Sequence, residues 1–379
     1  MYLQNNQIVS ITKCEKYEVD KIKISLEELL SPLGGIKKFI SRNDKVLIKP
    51  NMLSPRPPEK GVTTHPLFLQ ALIEIILNAG GKPYIADSPA VPNFNLISKR
   101  TGIKEIAEKM DIPIKEIKES ISVKNPDGFF KKIELGKDIF EVDKIINLAR
   151  LKTHNLMILT LGVKNIFGVV AGRKKAEWHL KAGFNKLLFA QLLLEIYYLV
   201  KPHLTIVDGI ISMEGNGPSS GDLRHTGLLF AGVDAVNVDR VISHVVGLED
   251  NLYIIKVARK YNHSPENFSK IKIKGINSID EIKIKNFKFP PDIERITPSL
   301  SLPQRIVREF ISKPKIINKN CNLCGNCIEV CPVSAIYKLN RSLNIDYSKC
   351  VSCFCCQEIC SYNAIKIKKS LISNILNWI

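Results

Sequence analysis

The chain of 379 residues carries 55 Lys and Arg against 37 Asp and Glu, a formal net charge of +18 at pH 7, with 45% hydrophobic residues. That is enough apolar material for two or three buried cores, yet no apolar run reaches the roughly 20 residues of a membrane span, because Lys164 and Glu195 interrupt the best candidates. The start, Met1-Tyr-Leu-Gln-Asn-Asn6, lacks the charged flank and apolar stretch of a secretory leader, so the expectation is a cytoplasmic protein with no transmembrane segment.

In chain order, residues 1–44 read as an N-terminal extension, with a short strand over Ile8 to Ile11 and a helix from Lys21 to Leu33 stopped by Gly34-Gly35. From 45 to 260 strand and helix alternate. Lys45-Val-Leu-Ile-Lys-Pro50 is a buried strand, His65 to Asn78 a helix closed by Gly80-Gly81, and Pro83-Tyr-Ile-Ala-Asp87 the next strand. A helix from Asn95 to Met110, a hairpin over Gly128 to Glu141 and a strand from Lys144 to Leu148 follow. After a glycine-marked polar segment, Lys152 to His179, come a helix at Leu187 to Val200, strands at Leu204 to Asp208 and Gly227 to Gly232, and a helix at Val236 to Val246. Repeated βα units predict a layered α/β domain on a mostly parallel sheet.

Residues 261–311 change character and read as a β excursion and linker, with a helix at Gln304 to Ile311. Lysines here alternate with isoleucines, as in Lys272-Ile-Lys274, the pattern of solvated strand faces. A basic surface attracts acidic partners, but no aromatic platform interleaves with the cations and no helix-turn-helix pattern appears, so no nucleic acid is expected. Residues 370–379 read as an amphipathic tail, with Leu371, Ile372, Ile375, Leu376 and Ile379 on one helical face that packs back on the protein.

Nine of the ten cysteines fall between Cys321 and Cys360, eight of them in two copies of one spacing: Cys321, Cys324, Cys327, Cys331 and Cys350, Cys353, Cys356, Cys360. Disulfides need an oxidising compartment, and zinc ribbons use paired Cys-x-x-Cys across a long loop instead of an unbroken triple. Three thiolates two residues apart can wrap one corner set of an iron–sulfur cubane, with a fourth supplied from elsewhere. Cys355 is read as a non-ligating neighbour and Cys14 as a small packed hydrophobe. Over 312–369 the chain resembles the bacterial-type two-[4Fe–4S] ferredoxin domain, a small α+β fold. Pro332 stands where the family pattern asks, Ser361 replaces the second proline, and Val333-Ser-Ala-Ile336 is answered by Tyr362-Asn-Ala-Ile365. The resemblance implies two [4Fe–4S] clusters with exchanged fourth ligands: Cys321, Cys324, Cys327 and Cys360 for the first, Cys350, Cys353, Cys356 and Cys331 for the second.

In open α/β sheets ligands bind beyond the carboxyl ends of the strands. Polar residues gather at those places: Lys49 and Asn51, Asp87, Lys152 with Thr153 and His154, Lys164 in the glycine-marked loop, and Asp208. Lys49, Asn51, Asp87 and Asp208 are read as substrate-binding, and Lys152, His154 and Lys164 as catalytic, His154 being suited to titrate near neutrality. His65, ahead of Pro66, reads as a helix cap or a catalytic group; His179, His203, His225, His244 and His263 have no partner at ligand spacing. Gly172-Arg-Lys-Lys175 is a solvated loop or a phosphate clamp, and Gly215, Gly217 and Gly221 form a flexible loop without the dinucleotide fingerprint.

Lys49-Pro-Asn51, Gly61-Val-Thr-Thr-His-Pro66, Ala86-Asp-Ser-Pro89, Leu151-Lys-Thr-His154, Lys164-Asn-Ile-Phe-Gly168, Val207-Asp-Gly209, Glu214-Gly-Asn-Gly-Pro218 and Asp234 with Asp239 resemble, in order, the family called domain of unknown function 362 (DUF362). The match covers about 45–250, and members often carry a ferredoxin module. The expectation is a ferredoxin-linked oxidoreductase that moves electrons between a redox partner protein and a small anionic substrate in the α/β domain, with one cluster facing the crevice. The alternative is a non-catalytic electron carrier or accessory factor whose α/β domain docks a partner.

Overall fold

Three apolar residues between two lysines, ended by Pro50, make β2 (Lys45–Lys49) the middle of a parallel sheet. The computed structural model describes residues 7–89, 93–172, 174–182, 185–290 and 313–368. From β2 the chain crosses through α2 (Pro66–Asn78) to β3 (Lys82–Asp87), then through α3 (Phe94–Arg100) and α4 (Ile103–Lys109) to β4 (Ile114–Glu116). After a hairpin, β5 (Ser120–Lys124) and β6 (Lys132–Gly136), it returns to the other side of β2 as β7 (Lys144–His154). It then runs on to β9 (Leu204–Glu214), parallel to β7. The order β4-β3-β2-β7-β9 is doubly wound, with its reversal between β2 and β7.

Helices cover both faces. Phe68, Leu72 and Ile76 of α2 and Leu26 and Leu29 of α1 (Val19–Leu30) pack on Val46, Ile48, Ile146 and Ile206. Phe189 and Leu193 of α7 (Lys186–Val200), Val241 of α8 (Ala235–Val245) and Ile255 of α9 (Tyr253–Lys260) pack with Leu47, Ile145 and Val207 on the other face. The period of two along each strand sends neighbouring residues to opposite layers. The expected α/β architecture with a mostly parallel sheet is therefore what forms.

Several boundaries differ from the sequence reading. Residues 8–13 form β1 (Ile8–Lys13), which is antiparallel to β10 (Asp222–Gly232) and parallel to β11 (Lys272–Lys274). The stretch 1–44 thus supplies a strand of the main sheet, and so does the excursion after 260, because pairing leaves no open ladder at β10. The helix expected over 95–110 breaks at Gly102, whose φ of 72° no helix interior accepts. The hairpin lies upstream of its expected place. Most consequentially, β7 runs on to His154, because β8 (Ile158–Thr160) folds back antiparallel on Lys152 to His154, and β9 runs on to Glu214. The linker helix at 304–311 and the tail at 370–379 lie outside the described residues.

The C-terminal module is a small α+β fold. β12 (Lys313–Ile316) pairs with β15 (Ile365–Lys368), β13 (Ile336–Leu339) with β14 (Ser342–Ile345), and two short helices, α10 (Asn326–Glu329) and α11 (Cys355–Ile359), sit between. The repeat extends to the backbone. Left-handed residues recur in pairs at Leu323 and Ser352, Gly325 and Phe354, Ser334 and Asn363.

Candidate functional site

The left-handed turns of the module aim amides at sulfur. Leu323 N–H donates to Cys321 Sγ at 3.4 Å and its counterpart Ser352 to Cys350 Sγ at 3.5 Å; Ala335 donates to Cys331 Sγ at 3.2 Å and Ala364 to Cys360 Sγ at 3.3 Å. Cys321, Cys324, Cys327 and Cys360 line one cavity, and Cys331, Cys350, Cys353 and Cys356 line another. Burial, then the neighbouring Cys360, Cys321 and Cys324, push Cys327 up to about 12. Burial, then Cys353 and Cys350, likewise raise Cys356 well above its ordinary value. Crowded, desolvated thiols of this kind ionise only beside a cation, which the iron of a cubane provides. Among the described residues no three His, Cys, Asp or Glu side chains converge at the spacing for a single metal ion; a four-iron cubane holds its thiolates further apart.

At the reversal between β2 and β7 the strand ends open into a cleft of about 80 Å³. Lys49 Nζ, fully buried at the end of β2, lies 2.8 Å from Asp87 Oδ1 at the end of β3 and donates to Pro50 O at 2.6 Å. Burial lowers Lys49, against the pull of Asp87. A side chain at Gly168 would collide with Lys49 Nζ and Asp87 Oδ1, which is the physical reason for a glycine ending Lys164-Asn-Ile-Phe-Gly168. Lys152 Nζ donates to Asn51 Oδ1 at 2.9 Å and Val62 O at 2.5 Å; burial, then Arg150 and Lys164, hold it well below the usual lysine range. Asn51 in turn donates to Asn165 Oδ1 at 3.0 Å, and Asn165 to Asn147 Oδ1 at 2.8 Å, so a chain of amides fixes the ends of β2 and β7.

His154 Nδ1 accepts the amides of Leu156 at 3.1 Å and Met157 at 3.2 Å, which places the proton of the neutral ring on Nε2. Nε2 lies 2.7 Å from Glu358 Oε1, but off axis: among the described residues neither atom has a partner in hydrogen-bonding alignment. Burial, then Lys164, take His154 down to about 4, against the pull of Glu358. Burial opposes ionisation of Glu358, yet His154 and Lys164 outweigh it and hold the carboxyl below its usual range. The pair is thus a neutral imidazole facing a carboxylate.

Glu358 belongs to α11, so the module closes the cleft. Ser219 Oγ donates to Glu358 O at 2.6 Å, Gln357 Nε2 to Asn216 Oδ1 at 3.0 Å, and Asn155 to Gln357. Arg56 donates to Cys360 O at 2.8 Å and Asn363 Oδ1 at 2.6 Å, and Ile359 joins the core beneath α1 and α2. Val330, Cys355 and Glu358 line the cleft, and Cys355 lines the second cysteine cavity as well.

The family model for the domain of unknown function DUF362 matches residues 46–244, and that for a 4Fe-4S dicluster domain matches 313–361. The thylakoid-associated protein sll1697 of Synechocystis sp. (strain ATCC 27184 / PCC 6803 / Kazusa) is 38% identical over 241 residues, 64% of this chain and 75% of its own. The chain belongs to the DUF362 family. A ferredoxin of Streptomyces griseus is 49% identical over 39 residues, 10% of this chain and 37% of that ferredoxin. The module of this DUF362 protein is accordingly a 4Fe–4S ferredoxin-type domain, which supports electron transfer. A crystal structure from Thermotoga maritima overlaps 66% of this chain and 60% of its own at a TM-score of 0.38 and 12% identity.

Of the residues expected to bind or react, Lys49, Asn51, Asp87, Lys152, His154 and Lys164 line the cleft of the DUF362 domain, and Asp208 does not. Asp208 points to the α1 side of the sheet with Ile206 and Ile210. There it accepts from Tyr17 Oη at 2.8 Å and lies 3.5 Å from Arg150, while Tyr17 stacks on His65 with ring centroids 3.7 Å apart. His65 Nδ1 caps α2 by accepting Leu67 N–H at 3.3 Å. Three cleft residues were not singled out as site residues. Burial takes Lys175 down to about 7, against the pull of Asp87, and takes His179 down to about 3. Both stand on α6 (Lys174–Ala182), and the cationic run at 173–175 was the signal for the first. Glu358 gave none, lying between two cysteines.

Proposed function

We propose that this protein is a ferredoxin-linked oxidoreductase of the cytoplasm, acting on a small anionic molecule in the cleft of the DUF362 domain. In this reading Cys321, Cys324, Cys327 and Cys360 hold one [4Fe–4S] cluster and Cys331, Cys350, Cys353 and Cys356 a second. Bound clusters supply one-electron transfer between an external carrier and the cleft. The observation that carries the reading is the position of Cys355, whose side chain walls both the second cysteine cavity and the cleft.

The chain's own residues divide the remaining work. Lys164, half-buried, and Lys175 attract the anion. Lys175, near 7, can give or take a proton at neutral pH, and His154 offers its Nε2 proton beside Glu358. Lys49, Asn51 and Lys152 hold the rim through the amide chain, and Phe167, Pro218 and Val330 keep bulk water out. The test is a reduction titration of the iron-loaded protein followed by electron paramagnetic resonance, with Lys152→Met and His154→Gln beside wild type. Ligand-site changes that move the signal of one cluster support the reading. Signals indifferent to both substitutions would favour a carrier whose DUF362 domain only docks a partner.

A further inference from the structure

The charges of the cleft do not balance internally. Lys49 is paired with Asp87 at 2.8 Å and Glu358 faces His154 at 2.7 Å. Lys164 lines the cleft with Lys152, His154, Lys175, His179 and Glu358 and has no hydrogen-bond or ion-pair partner among the described residues, yet its charge acts on all five. His179 Nδ1, on a residue only 4% exposed, has no hydrogen-bond partner among the described residues either. A lysine without a partner in a cleft calls for an acceptor, and a buried ring nitrogen without one can serve as donor or acceptor to the same ligand.

The kind of acceptor follows from the rest of the wall. Phosphate sites at helix starts recruit free backbone amides, but the amides of Lys174 and Lys175 at the start of α6 are already bonded to the carbonyls of Ala171 and Gly172. Recognition therefore falls to side chains. Besides the cations, the lining includes the apolar Met52, Leu53, Phe167, Pro218 and Val330. With about 80 Å³ inside the cleft, its enclosed part suits the head and short chain of a small molecule. We propose that the cleft binds a small organic carboxylate, its head between Lys164 and Lys175 and its short carbon chain against the Phe167 and Pro218 side. This rests on the reading of the cleft as the substrate site and names the substrate class.

The test uses the oxidised, iron-loaded full chain, so that no electron transfer is needed. Calorimetric titrations with propionate and with inorganic phosphate are run at fixed ionic strength. Propionate is expected to bind saturably at one site per chain and phosphate not to. Lys164→Gln and Lys175→Gln, checked for unchanged iron content and melting, should each weaken propionate about 30-fold or more, as removal of one partner of a desolvated charge pair does. If Lys164→Gln does not fold, Lys175→Gln carries the comparison. Phosphate binding as well as propionate would overturn the carboxylate class; no binding of either, or binding untouched by both substitutions, would overturn the site. Propionate binding that leaves both cluster potentials unmoved would keep this proposal and reject the redox reading.

Discussion

The two halves of the cysteine module share a backbone but not a neighbourhood. In the first, α10 leaves Glu329 exposed and Cys324 open to solvent; in the second, every residue of α11 from Cys355 to Ile359 is buried, Cys356 in the module's own core and Gln357, Glu358 and Ile359 toward the DUF362 domain. A repeated loop can thus specify where sulfur goes, while the surface around each copy decides what that sulfur serves. In the proposed reading the exposed half exchanges electrons with a carrier. In the same reading the buried half, with Glu358 and Cys355 reaching the cleft, serves a bound molecule.

The sharpest way to break the comparison is to remove one thiol from each half. Cys324→Ala should lower iron from about eight to about four atoms per chain and leave the docking of α11 intact. Cys356→Ala should lose the same amount of iron and also lower the melting temperature, because its helix carries Ile359 and Glu358 into the domain. Equal melting of the two variants, read by calorimetry with iron analysis, would contradict the asymmetry.

Next in size is the contact that pins the second half. Arg56→Ala removes two hydrogen bonds, to Cys360 O and Asn363 Oδ1, and should cost about 1–3 kcal/mol as buried polar groups lose partners. Hydrogen exchange should then quicken at Cys360 to Asn363 and not at the pseudo-equivalent Cys331 to Ser334. Exchange that rises equally in both segments would mean that the module docks as a whole.

A smaller effect should appear on acidification. His154 is held at about 4 against an ordinary 6.5, so the unfolded chain binds its proton first as pH falls. Its contribution is complete above pH 6.5 and is lost progressively between 6.5 and 4; the depressed Glu358 loses its own contribution as pH falls further. A fragment ending at Pro290 lacks Glu358 and no longer has α11 over His154, so its stability should decline less across this window than that of the full chain. Parallel declines would show that the module does not bury His154.

How far the sequence foretold this depends on the range of the interaction. The cysteine spacing and the strand of Lys45 to Lys49 are local patterns, and both were legible. The clustering of Lys49, Asp87, Lys152 and His154 followed from one rule about strand ends, because β2, β3 and β7 are neighbours at the reversal. Asp208 escaped the rule: whether a residue near a strand end faces the cleft or the far layer depends on where the strand stops, and β9 continues to Glu214. The strand at Ile8 to Ile11 was legible, but its place in the main sheet was not, because its partners lie more than two hundred residues downstream; Glu358 was invisible because its meaning comes from His154 across a domain boundary. The smallest expected effect also comes from that boundary. Cys355→Ala should keep all the iron, and loss of half would show it to be a ligand.

The central claim, that the cluster walled by Cys355 is the one that senses the cleft, is tested most directly by a reduction titration resolved by electron paramagnetic resonance, with and without saturating propionate. The account predicts that one cluster's midpoint moves on binding, that the other stays, and that the movement vanishes in Lys164→Gln. Equal movement of both midpoints, or a shift that survives in Lys164→Gln, would contradict it.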